Sequence, residues 1–262
     1  EVPGEGRQSY ARFAVQALAE AGLHVELLGC GLPGRAAVEL AAGFGERTLS
    51  DCLKRDGVGL EELLRPCRDG VDRPPDLVLL MAGTNDLLRF GRRLGAEDIA
   101  DALRQLHEDC HRQGVRTVAV AVPDFSGRCA TARARAARHA VNASLASWAR
   151  GQGSGDGQFE GSPGPRRPDL FVNAGALLPA GPRARGAGLW EKDGIHWTVE
   201  GAKLLGTRLA SRLAPLVERL GAARALEDVG EALPLEAYMR ALSLVEELGD
   251  GVGGGAGGCG AG

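Results

Sequence analysis

The sequence is short of several things, and each shortage closes off a class of function. Lysine is scarce: Lys54, Lys192 and Lys203 are the only three among 31 basic residues, and the formal net charge is −3. A dedicated nucleic-acid binder is normally basic, so that class is set aside. No apolar run approaches the length that spans a bilayer, and no signal peptide is visible. Cys30, Cys52, Cys67, Cys110, Cys129 and Cys259 are scattered, with no C-x-x-C pair. A chain of 262 residues can bury a core without covalent staples. Reduced thiols in a cytoplasmic protein are therefore the expectation. What is present, 44% apolar and 25% charged residues, is ordinary for one soluble globular domain with a tail.

Helical spacing marks Tyr10 to Ala21, with Ser9 as N-cap and Gly22 as terminator. It recurs at Ala96–Arg112, Cys129–Arg150 and Thr198–Leu220. Between these lie continuous apolar runs at Leu23–Cys30, Leu77–Ala82 and Val115–Val122, with a shorter one at Asp169–Val172. Strands without polar alternation, separated by helices, predict an α/β fold whose parallel sheet is covered on both faces. Ligands in such sheets bind outside the carboxyl ends of the strands. Gly31–Gly34, Gly83–Asp86 and the Pro123 region each follow a strand and so gather on one rim. Residues 1–220 are expected to form this domain, 221–248 a helical extension and 249–262 a Gly-rich flexible tail or linker. Gly151–Pro168 reads as a Gly/Pro-rich insertion.

Chemistry concentrates in two segments. Asp193-Gly194-Ile195-His196 places a carboxylate three residues before an imidazole, a spacing that lets Asp193 orient His196 and stabilise its charged form. Gly83-Thr84-Asn85-Asp86 follows a strand, where the Asn85 amide can donate to a developing oxyanion. Gly34 lacks a Cβ, so its backbone N–H can approach a substrate closely. No serine precedes these groups in a setting suited to a nucleophile. Ser9 starts a helix and lacks a preceding strand.

GTND after an apolar strand, DGIHWTVEGAKLLG near the end and GLPG resemble the SGNH hydrolases, also called GDSL esterases, and most of all their small arylesterase and acyltransferase branch. The resemblance spans about Val2 to Leu220. It implies a three-layer α/β/α sandwich, flavodoxin-like, with five parallel strands. It also implies a serine hydrolase acting on small acyl esters through an acyl-enzyme, with no metal or organic cofactor. Its catalytic Asp and His map onto Asp193 and His196, and its oxyanion Asn and Gly onto Asn85 and Gly34. The family's first block, a GDS motif ending its central first strand, is not in the sequence. The expectation is a nucleophile a few residues ahead of Glu1, and poor folding and no serine-route hydrolysis without it. Pro33 and Trp197 also depart from the family pattern. The alternative from another class is a catalytically dead binding module on the same fold.

Other features have plainer readings. His107-Glu108-Asp109-Cys110-His111 is a literal H-E-x-x-H, the spacing of a zinc peptidase. Thr117 stands where a metzincin needs its third His, and the apolar stripe Ile99, Leu103, Leu106 and Cys110 leaves both imidazoles on a solvated helix flank. Arg128, Arg133, Arg135 and Arg138 are expected on the wet face of an amphipathic helix. His24 and His139 read as structural or surface residues. Asn142-Ala143-Ser144 spells a glycosylation sequon but falls mid-helix. Trp190 and Trp197, flanking DGIH, serve either a substrate pocket or simple packing.

Overall fold

The computed structural model describes residues 9–66, 73–90, 93–152 and 167–229. Residues 230–248 of the expected extension, the Gly-rich tail and most of the 151–168 insertion lie outside these residues. Ser9 accepts the N–H of Ala11 and caps α1 (Tyr10–Glu20), which ends at Gly22 with φ +81°. Then come α2 (Ala37–Ala42), β1 (Thr48–Ser50), β2 (Asp56–Val58), α3 (Leu60–Leu64) and β3 (Leu77–Leu80). A π-helical turn at Asp86–Phe90 leads to α4 (Ala96–Arg112), β4 (Arg116–Val120), α5 (Ala132–Arg150) and β5 (Leu170–Val172). Two short helices, α6 (Ala174–Leu177) and α7 (Pro182–Gly186), precede α8 (Val199–Val229).

β3, β4 and β5 form a parallel sheet in that order, with Leu77 opposite Arg116 and Val118 opposite Leu170. Alternate residues of β3 point to opposite faces, as strand geometry requires. Leu77 and Leu79 meet Leu209, Leu213 and Leu216 of α8, while Val78 and Leu80 meet Leu64 of α3 and Cys110 of α4. Helices therefore cover both faces, and the fold is the α/β class that the apolar strand runs anticipate. None of the described helices is long and apolar enough to cross a membrane.

One expectation needs correction. Leu23–Cys30 forms no ladder with any described strand, and its Leu27 and Leu28 are exposed. An apolar run becomes a strand only when a neighbouring strand takes its backbone hydrogen bonds, and no described strand does; Leu23 N–H goes back to the Leu18 carbonyl of α1. The antiparallel hairpin of β1 and β2, by contrast, leaves no apolar run in the sequence, because its strands are three residues each and only Leu49 is buried.

α1 and α8 approach at backbone distance. A Cβ placed on Gly206 would lie 2.3 Å from the Tyr10 carbonyl oxygen and 2.9 Å from the Ala14 nitrogen. In an open helix Gly→Ala gains about 1 kcal/mol; here overpacking, which costs about 1–3 kcal/mol, opposes that gain. Gly206→Ala is expected to lower stability in chemical denaturation. An increase would show that the helices are not in this close contact.

Candidate active site

The loop that carries Gly34 is held from below by the turn after β3. Gly34 has φ +76°, and a Cβ there would lie 2.5 Å from the Cβ of Cys52, so both conformation and space demand glycine. Asp86, fully buried, accepts the N–H groups of Ala37 and Val38 at 2.7 and 3.1 Å. These are orphan donors of the first turn of α2, and a carboxylate there also suits the positive helix end. Asn85 donates Nδ2 to the Arg35 carbonyl at 2.9 Å, and the Arg89 guanidinium donates to the Gly34 carbonyl. A primary amide has two N–H groups, so Asn85 retains one for another acceptor. Asn85 and Gly34 are thus brought together through the single residue between Gly34 and Ala36.

The DGIH segment is a second compact unit. Asp193 Oδ2 lies 2.6 Å from His196 Nδ1, and Oδ1 accepts the backbone N–H groups of Ile195 and His196 at 2.9 and 3.0 Å. A carboxylate can only accept, so Nδ1 carries a proton, and in the neutral ring Nε2 is the nitrogen with the lone pair. Among the described residues Nε2 has no partner, and the His196 side chain is about half exposed. Partial burial works to raise the Asp193 carboxyl, but the hydrogen bonds from the His196 ring and from the His196 and Ile195 backbones, with the imidazole charge, outweigh it. They hold the carboxyl at about 2, against 3.8 for a free aspartate.

Packing fixes this loop on the sheet. Gly194 has φ +70°, and a Cβ there would meet Ser126 Oγ at 2.5 Å and the Ser126 carbonyl oxygen at 2.8 Å. Ser126 N–H donates to the Gly194 carbonyl at 2.7 Å. The Trp190–Trp197 bridge closes the loop, with ring centroids 6.0 Å apart, and Trp197 also stacks edge-on against Tyr10. Trp190 donates Nε1 to the Pro179 carbonyl and is buried. Both tryptophans are used in packing. Gly83, with φ +104°, presses against Val122, where a Cβ would lie 2.8 Å from Cγ2. The Asn85 turn therefore abuts the exit of β4, whose continuation supports His196. Both units stand at the carboxyl ends of adjacent parallel strands.

Three surface readings are overturned. His107 and His111 are buried, not on a wet flank. The His107 ring packs on Trp148 at 5.4 Å, and burial, with His111 beside it, pushes its pKa down to about 3. His111 Nε2 is 2.8 Å from Thr117 Oγ1, and no group of three metal-ligating side chains exists among the described residues. α5 covers this flank through Trp148, which is why it is not solvated. Arg138 is also buried, whereas Arg128, Arg133 and Arg135 are exposed as expected. Its partner Asp124, with Ser126 and the capping role of Asp86, escaped the sequence reading; only Asp86 carried a visible signal, its place in GTND. Among the described residues Cys52, Cys110 and Cys129 form no disulfide.

Residues 2–204 match the sequence profile of the GDSL-like Lipase/Acylhydrolase family. Among solved structures, the lipase/acylhydrolase from Enterococcus faecalis is similar over 78% of this chain and 84% of its own, at 15% identity and a TM-score of 0.50. An acetyl xylan esterase is similar over 78% of this chain and 90% of its own, at 13% identity and a TM-score of 0.50. At these identities the likeness speaks for the fold. No curated protein matches the sequence.

Two outcomes follow from the geometry. Asp193 titrates below its unfolded value, so the stability it contributes is present above about pH 4 and is lost as pH falls towards 2. A carbon-13 titration of its carboxyl should show that depressed midpoint; a midpoint near 4 would contradict the pairing. Gly194→Ala should displace the loop and broaden the His196 ring signals, and unchanged signals would refute the packing argument.

Proposed function

The chain belongs to the GDSL-like Lipase/Acylhydrolase family, and from that premise we propose that it is a serine ester hydrolase in which His196 is the general base and Asp193 its orienting carboxylate. The observation that carries the reading is the 2.6 Å contact between Asp193 and Nδ1, which leaves Nε2 basic and open. Asn85 Nδ2 and the Gly34 N–H are the oxyanion donors. Gly34 fits against Cys52 only without a Cβ, and the Asp86 cap keeps its loop beside Asn85. Substrates are small acyl esters.

The nucleophile is assigned to a serine ahead of Glu1 in the whole protein. In support, five of the described serines have hydroxyls bonded elsewhere: Ser9 caps α1, and Ser50 donates to Asp56. Ser144 donates to Glu97, Ser147 to the Gln152 carbonyl and Ser211 to the Thr207 carbonyl. Ser126 is buried, its hydroxyl packed against Gly194. In the reaction, His196 Nε2 takes the serine proton as Oγ bonds to the ester carbon. The tetrahedral oxyanion is held by Asn85 and Gly34. Its collapse breaks the ester C–O bond, and the alcohol leaves with the proton from Nε2. Water then repeats the sequence on the acyl-enzyme and releases the acid, while an alcohol acceptor in its place gives acyl transfer.

A second reading, an inert binding module on the same fold, is favoured by one fact: no described serine bonds the His196 ring. Hydrolysis by the whole protein separates the two. Losing one oxyanion donor costs about 2.7–4 kcal/mol of transition-state stabilisation. Asn85→Ala should therefore cut kcat by about a hundred- to a thousandfold with KM little changed. An unchanged kcat removes Asn85 from the site, and a wild-type protein that cleaves no ester favours the binding module.

A further inference from the structure

Past β4 the chain leaves the sheet. Ala121 N–H still goes to the Val172 carbonyl at 2.8 Å, but the next residues are met by side chains of α5. Arg138 and Asn142 lie four residues apart, one above the other on the same helix face. Asn142 accepts the Val122 N–H on Oδ1 at 2.8 Å and donates Nδ2 to the Val122 carbonyl at 3.1 Å. Arg138, 7% exposed, donates to that same carbonyl at 3.4 Å and pairs with Asp124 at 3.2 Å. Asp124 then accepts the N–H of Ala180 on its second oxygen at 3.0 Å. Two residues further, Ser126 donates its N–H to Gly194 and fills the space a Cβ there would need. Gly127, with φ +72°, rests against the Asp193 carbonyl, 3.2 Å from where its Cβ would lie.

We infer that Arg138 and Asn142 are positioning residues for the Asp193–His196 pair, gripping Val122–Asp124 so that Ser126 and Gly127 present a fixed floor to the histidine loop. The inference rests on the proposed role of His196 as base. α5 holds one side of this segment and the histidine loop lies on the other. A lone buried guanidinium is costly, so Arg138 is held beside the Asp124 carboxylate. Asp124 also fixes Ala180, upstream of the loop, which anchors the histidine segment at a second point. Neither residue touches the reacting atoms; both act through the backbone of Val122–Gly127. The same contacts occupy both polar atoms of Asn142, which removes it as a glycosylation acceptor.

The test compares Arg138→Met, Arg138→Lys and Asn142→Asp with the exposed control Arg135→Gln. One readout is the proton NMR signal of His196 Nδ1–H bonded to Asp193; the other is hydrolysis of p-nitrophenyl acetate by the whole protein. A shift of about 1 Å at a catalytic group costs on the order of a hundredfold in rate. Arg138→Met and Asn142→Asp are expected to lower kcat on that scale with KM little changed, and to broaden or erase the Nδ1–H signal. Arg138→Lys keeps the ion pair and should recover most of both, while Arg135→Gln changes neither. The inference is overturned if Tm falls but kcat and the Nδ1–H signal stay as in the wild type. Should Arg138→Met not fold, Asn142→Asp decides by the same two outcomes. A wild-type protein without hydrolysis defeats the proposed function alone, because the NMR readout still judges the positioning.

Discussion

One buried carboxylate decides whether there is a site at all. Asp86 sits at the end of the turn after β3 and takes two backbone N–H groups from the first turn of α2. Without it those donors would face an interior with no acceptor, and a buried unmade hydrogen bond costs about 1–3 kcal/mol. With it, the loop carrying Gly34 is bound to the segment carrying Asn85, although about fifty residues separate them in sequence. Gly34 needs both a positive φ and the space against Cys52. The Arg89 guanidinium and the Asn85 amide then hold the carbonyls on either side of the Gly34–Arg35 junction. An oxyanion hole acts by preorganisation, and in the proposed function ordinary capping and turn chemistry would supply it.

The histidine half is built on a different principle. Asp193 and His196 are close in sequence, so their pairing is local, but their placement is not. It depends on Gly194 fitting over Ser126 and on the exit of β4 being held by α5. The two halves meet where Gly83 presses on Val122. The carboxyl ends of β3 and β4 thus act as one platform, the position that open parallel sheets offer to ligands.

Much of this was legible in the sequence, for identifiable reasons. α1 was readable because its ends carry chemical signals, Ser9 and Gly22, and the longer helices by their spacing. Strands β3, β4 and β5 announced themselves as apolar runs between helices, and Asp193 with His196 by local spacing. Leu23–Cys30 failed because strand formation belongs to a pair, and one sequence segment cannot show its neighbour. Arg138 failed for a related reason: its burial is set by Asp124, which reaches it only through the tertiary fold. His107 and His111 failed because α4 is covered on a flank that a single apolar stripe does not reveal.

The central claim is that His196, oriented by Asp193, activates a serine on this rim. A fluorophosphonate, which forms a covalent adduct only with an activated hydroxyl, tests it most directly in the whole protein, with the labelled peptide located by mass spectrometry. The account predicts one modified serine, ahead of Glu1, and loss of that label in His196→Ala. Absence of any adduct, or a label that survives His196→Ala, would contradict it.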